Sequence, residues 1–398
     1  MTIGDNLEEF YGKTVEDFDM AVGIAKPTGV VYRLRTEYDD EKSVPEMIAK
    51  FAADPNVGEV KALVIGIWDY EQGGSEEVVE ALLEHKQQLS GLEAIMFGDI
   101  TYEENEISWI EQSNLGPVIN AFPNLVHFQC RGGNSLALKN VKHDKLKTLI
   151  IETGGMPSEV IRDVIKAELP NLEHLELWLG TEDYGFEAKI HDLRPILDGK
   201  KWPKLRHLGL RDSQIADAIA KALSVADQAD VSSVQIEGKT FVLTGTLHQM
   251  KRSDAEKELE KRGAKTGGSV TKTTDYLVAG EKAGSKMEKA KSLGVPVLSE
   301  ADLMKLLGGD TSNTSDVTGS ILDQLKVLDL SMGTLGDEGA KALLENPKIT
   351  NLDKLDLHYH YISDEMMEKL KGLPIQVDVS DQQDPDADPE DRYVAVAE

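Results

Sequence analysis

Two groups of residues in this 398-residue chain have the types and spacing to do chemistry. In the first, Thr244 and Gly245 end a strand-like run, GKTFVLTGTL, at a turn into the helical stretch RSDAEKELEKRGAK, and Lys286 stands at the start of a second helical stretch. A hydroxyl, an unobstructed backbone N–H and an ammonium group at helix starts can grip a phosphate, because helix N-termini favour anions and glycine lets a ligand approach the backbone. In the second group, Asp356, His358 and His360 alternate along a strand-like run. On a strand that spacing puts the carboxylate and both imidazoles on one face, where they could hold zinc or another divalent ion. Histidines exposed on a strand are more often plain surface residues, so the expectation is no metal centre, with a metal-dependent enzyme as the remote alternative.

The elements that must position these residues come from a repeat. An apolar LxxLxL triplet begins at Val60, Leu92, Leu125, Leu146, Leu172 and Leu205, with starts 21 to 33 residues apart. It returns at Leu325 and Leu352 after a gap of 120 residues. Each triplet leads through a turn into a helical pattern. After LKVLDL, for example, Leu335, Ala340, Leu343 and Leu344 fall at helical spacing, and Pro157 and Ser158 suit a helix start after LKTLII. A strand cannot bury its apolar face alone, so such units are expected to stack into an α/β solenoid, strands on the concave side and helices outside. This resembles the ribonuclease-inhibitor type of leucine-rich repeat. The amino-terminal region and the stretch Asp378 to Gln383 also resemble bacterial leucine-rich repeat proteins.

The gap holds a different pattern, β-α-β-β-α-β-α, over residues 236–309. The runs FVLTGTL, TDYLVAG and GSKMEKAKSLGVPVLS resemble a BRCT domain, like the single modules of NAD-dependent bacterial DNA ligases and of the large subunit of replication factor C. The resemblance implies that Thr244, Gly245 and Lys286 form a phosphate pocket and that Arg252 meets a nearby backbone phosphate. Lys239, Lys251, Lys265 and Lys272 would extend that surface. Phosphoserine recognition in the family generally uses two packed units, so a lone module points to a DNA 5′-phosphate. The expected organisation is a cap region at 1–55, repeats at 56–230, the BRCT insert at 236–309, repeats again at 319–380 and an acidic tail at 381–398. Flanking linkers are read at Ala226 to Ser233 and Thr311 to Thr318, and RYVAVAE near the end is a candidate terminal strand.

Charge divides the chain in the same way. The insert carries 13 Lys plus Arg against 10 Asp plus Glu, a net of +3, within a chain of −28, which leaves −31 elsewhere. Nucleic-acid contact is therefore expected at the insert alone. On the concave face, triplet parity turns Trp68, Glu152, Glu176, Trp178, Arg211, Asp329, Asp356, His358 and His360 outward, a mix of aromatic and acidic groups that suits an unknown protein partner. There is no Walker loop, GxGxxG, GxSxG, paired CxxC or KxDG motif, so no enzyme and no cofactor is expected. The one cysteine, Cys130, cannot form an internal disulfide and sits at an inward triplet position. With no apolar run of spanning length and no leader pattern, the chain is expected to avoid the membrane and work in the cytoplasm.

Overall fold

A computed structural model describes residues 3–38, 42–71, 73–225, 236–247, 250–280, 285–293, 295–300, 303, 306–307 and 320–396. The chain divides into two compact units, Met1–Ser224 with Gly319–Glu398, and Val225–Thr318. Both linkers read from the sequence lie outside the described residues.

The first nine strands are β1 (Glu9–Phe10), β2 (Lys13–Asp17), β3 (Val31–Leu34), β4 (Ala62–Ile65), β5 (Ala94–Phe97), β6 (His127–Arg131), β7 (Thr148–Glu152), β8 (His174–Gly180) and β9 (His207–Ser213). Helices α1 (Val44–Ala52), α2 (Glu76–Glu84), α3 (Gly116–Ala121), α4 (Ser158–Lys166), α5 (Ile190–Leu197) and α6 (Ala216–Val225) follow β3, β4, β5, β7, β8 and β9, while β6 leads to β7 with no helix between them. The second unit contributes β10 (Thr240–Thr244), α7 (Arg252–Lys261), β11 (Lys265–Gly267), β12 (Tyr276–Ala279), α8 (Ser285–Leu293) and β13 (Val297–Ser299). The chain then returns with β14 (Val327–Asp329), α9 (Asp337–Leu344), β15 (Lys354–Asp356), α10 (Asp364–Lys371) and β16 (Gln376–Asp378).

In the first unit, β1 through β9 and β14 through β16 make one twelve-stranded sheet in chain order, parallel except for the antiparallel β1–β2 pair. The repeat sets the register. The middle residue of each triplet pairs with that of the next, Leu63 with Ile95, Ile95 with Phe128, and so through Leu149, Leu175, Leu208, Leu328 and Leu355 to Val377. These side chains, with the apolar faces of the helices, form one continuous core. Parallel neighbours repeat their spacing, so apolar residues at fixed positions must stack in a column. Cys130 is fully buried in that core, and burial pushes its thiol well above the ordinary range, so it is an inert packing residue.

β9 pairs directly with β14, His207 against Val327, so the sheet closes across the inserted residues. Removing residues 231–316 and bridging the ends is expected to leave the sheet folded, read as one cooperative thermal transition by circular dichroism. A broad or missing transition would contradict it.

Both ends of the first unit differ from the sequence reading. The first 55 residues already contain β2, β3 and α1 as members of the repeat. Phe10 and Leu7 pack on Val31, Ala62, Val64, Ala94 and Met96, the side chains that point away from the helices. Among its described residues, 392–396, RYVAVAE forms no strand. Val394, Ala395 and Val396 are buried, and the amides of Ala395 and Val396 donate to the Met332 carbonyl and to Asp212 Oδ1, each at 2.8 Å. No helix is long and apolar enough to cross a membrane among the described residues.

Candidate functional site

The four strands of the second unit are parallel and run in the order β11-β10-β12-β13. The connection from β10 through α7 goes to one side of the sheet, and that from β12 through α8 goes to the other. Beyond the carboxyl ends of β10 and β12 the two connections part, and in open parallel sheets ligands bind in the crevice made at such a point.

The predicted residues come to this edge. Thr244 is the last residue of β10, is buried, and lies opposite Ala279, the last residue of β12. Gly245 follows with a φ of +76°, a left-handed conformation that suits glycine. The Gly280 amide donates to the Thr244 carbonyl at 2.9 Å, which ties the two post-strand loops together. A Cβ on Gly280 would lie 2.2 Å from the Thr246 carbonyl oxygen, so only glycine fits there. Lys286 is the second residue of α8 and half-buried, and Arg252 opens α7 on the surface, 3.3 Å from Glu256 through Nε.

The other lysines differ. Lys239 precedes β10 and pairs with Asp275 at 3.0 Å, and Lys265 begins β11, so both stand at the amino-terminal edge, away from Thr244. Lys251 caps α7 at the Thr244 edge, and Lys272 is exposed in the turn before β12. The first strand after α7 begins at Lys265, where the chain has turned at Gly263 with a φ of +85°. Of residues 301–307, where the last helix of the sequence pattern falls, Leu303, Leu306 and Leu307 are described.

On the repeat sheet, the face predicted to be open is largely filled. Glu152, Glu176, Trp178, Asp329 and Asp356 are each no more than 9% exposed. Trp178 packs with Ile107, Met332, Ala395 and Val396, and the Arg211 guanidinium lies 5.1 Å over its ring. The chain's own carboxyl-terminal residues thus occupy the position expected for a partner. Trp68 lies beyond the end of β4, against Phe97, and donates to the Gly73 carbonyl at 3.0 Å. Triplet parity fails there because it holds only while the strand continues.

Charges on this face are paired. Burial alone would push Glu176 up, but His174, Arg211 and the Trp178 indole N–H outweigh it and hold the carboxyl at about 2. Asp356 behaves alike: burial opposes the anion, yet hydrogen bonds from His358 (2.8 Å) and Lys354 (2.6 Å) hold it below the usual range. His358 is raised in turn by that carboxylate.

The predicted trio of Asp356, His358 and His360 is not assembled. β15 ends at Asp356, and Tyr359 has a φ of +56°, so strand alternation stops before His360. His360 is fully buried. Its Nδ1 accepts from the Ile362 amide at 3.0 Å, which makes Nε2 the N–H that donates to the Val379 carbonyl at 3.2 Å. The third group near Asp356 and His358 is Asp378, one strand away. Sequence reasoning also passed over a second cluster, His174, Glu176 and His207. The signal was present, since HLE in one triplet and HLG in the next put two histidines at the same repeat position.

Comparison with known proteins fits this division. Residues 235–307 match the model of the BRCA1 C Terminus (BRCT) domain, and residues 325–344 match a Leucine Rich repeat model. A DNA ligase of Neisseria meningitidis serogroup C is 58% identical over 83 residues, which make up 21% of this chain and 10% of the ligase. A DNA ligase of Parasynechococcus marenigrum is 62% identical over 76 residues, 19% of this chain and 11% of the ligase. The chain thus spans about a tenth of the length of the curated relatives it matches. A crystal structure of a Bacteroides fragilis protein is similar with a TM-score of 0.61 and 28% identity, covering 90% of this chain and 77% of that one. The chain therefore carries a BRCT domain similar to that of the ligases, together with a leucine-rich repeat.

Proposed function

We propose that the protein is a non-enzymatic cytoplasmic scaffold, a leucine-rich repeat solenoid that carries a BRCT module for binding a phosphate, that of a DNA 5′ end. The observation that carries this reading is the convergence of Thr244, Gly245 and the Lys286 end of α8 on the crevice where the connections of β10 and β12 part. The charge division supports an end contact over a long duplex footprint, since an excess of 31 negative charges outside the insert repels the backbone. A protein partner for the acidic repeat surface remains part of the reading, on exposed positions beyond the filled strand face. Binding of both units to protein alone is the alternative.

The test is fluorescence anisotropy of the full chain with a recessed duplex, with and without a 5′-phosphate, at two salt concentrations. Charge-assisted hydrogen bonds to the phosphate are each of order 1.5–3 kcal/mol, so the phosphorylated duplex is expected to bind about tenfold or more tightly. Contact with few phosphates also predicts a shallow salt dependence. Equal affinity for the two duplexes would overturn the DNA-end reading, and absence of binding to both would favour the protein-only alternative.

A further inference from the structure

We propose that His174, Glu176 and His207 form a binding site for one divalent transition-metal ion of the zinc or cobalt class. His174 and His207 are paired in register on β8 and β9, and Glu176 follows His174 on the same face. The imidazoles stack with centroids 3.8 Å apart, and both Nε2 atoms face Glu176 Oε2, at 3.4 Å from His174 and 4.0 Å from His207. One ligand atom from each residue lies within 4.8 Å of the other two. Ligands bound at about 2.0–2.2 Å to a tetrahedral ion sit roughly 3.3–3.6 Å from one another, so the separations suit an ion once the stacked rings turn their Nε2 lone pairs toward a common point.

Three further observations single out this cluster. The carboxylate is already oriented: Oε1 accepts from Arg211 Nη1 and Trp178 Nε1, both at 2.8 Å, while Oε2 is engaged within the cluster, by His174 Nε2 at 3.4 Å. His207 Nε2 is buried without a hydrogen-bond partner among the described residues, a cost that a metal bond removes. Gly209, opposite Glu176, keeps the space open, because a Cβ there would lie 2.9 Å from Glu176 Cγ. The imidazole side chains of His174 and His207 are 28% and 26% exposed, so solvent reaches the edge of the cluster. The Asp356, His358 and Asp378 group differs, since Lys354, a cation outside the set, holds Asp356 Oδ2 at 2.6 Å.

The experiment is titration of the untagged, chelator-stripped full chain with Co²⁺, followed by visible absorption, with Zn²⁺ as competitor. One equivalent is expected, with the intense absorption of a four-coordinate site that Zn²⁺ displaces. His207→Ala and His174→Ala should each weaken binding about 100-fold or more, while Asp356→Asn leaves it unchanged and thermal melts show that all three variants are folded. No stoichiometric binding by the wild type, binding that persists in both histidine variants, or loss in Asp356→Asn alone would each overturn the site.

Discussion

Replacing Asp99 with alanine is expected to destabilise the repeat unit by about 3–5 kcal/mol, the usual cost of removing one partner from a buried ion network. Asp99 is fully buried. Arg33 Nη1 lies 3.0 Å from Oδ2, and Arg131 Nη1 lies 3.8 Å from Oδ1. Arg131, itself buried, is held on its other side by Glu152 at 2.7 Å. The Leu7 amide also donates to both Asp99 oxygens at 3.1 Å, and Asn6 donates to its carbonyl at 3.0 Å. Loss of the carboxylate therefore removes one of the two acidic partners of each guanidinium, leaving Arg33 with Asp17 and Arg131 with Glu152, and releases the amino-terminal segment that covers the Val31, Ala62 and Ala94 face. Urea unfolding followed by circular dichroism measures the stability, and hydrogen exchange at Leu7 measures the release. A change below about 1 kcal/mol with Leu7 still protected would contradict this role.

At the other end, Asp212→Asn is expected to stabilise the protein at neutral pH. Asp212 is fully buried, its Oδ2 has no hydrogen-bond partner among the described residues, and burial raises its pKa well above the ordinary value despite the Val396 amide and Arg211. A carboxyl raised in the folded state binds its proton more tightly there than in the unfolded chain. Its favourable contribution is thus greatest below the unfolded value near 3.8, and is lost as pH rises through the folded one. Asparagine removes the buried charge, keeps an acceptor for Val396, and tolerates the φ of +51°. The variant should gain about 1–3 kcal/mol at pH 7, with the difference from wild type closing as pH falls toward 4. Denaturant melts across that range check it, and a variant that is less stable at neutral pH would refute the assignment.

The sheet was legible in the sequence because its signal is local and repeated. The middle residue of each LxxLxL triplet, from Leu63 through Leu355, falls on a strand, and these residues pair in one register. The compact unit was legible for the same reason, through FVLTGT and DYLVA, which become β10 and β12. What could not be read was set by contacts distant in the chain. Trp178 and Asp212 are covered by Ala395 and Val396, some two hundred residues away, and Val31 by Phe10. No periodicity announces such covers. His360 was misplaced for a different reason: the alternation rule was extended past Asp356, where the left-handed turn at Tyr359 ends it. His174 and His207 come together through parallel register, which joins neighbouring units 33 residues apart and leaves no spacing motif within either strand.

The central claim is that phosphate is recognised where the connections of β10 and β12 part, and it is tested most directly by one ratio. The affinity of the full chain for a 5′-phosphorylated recessed duplex, divided by that for the unphosphorylated duplex, is measured by anisotropy in wild type, in Thr244→Ala/Lys286→Ala, and in Lys239→Ala at the opposite edge. The prediction is a ratio of about ten or more in wild type and in Lys239→Ala, falling to about one in the double variant. A ratio that survives the double variant would contradict the claim, as would one that is already near one in wild type.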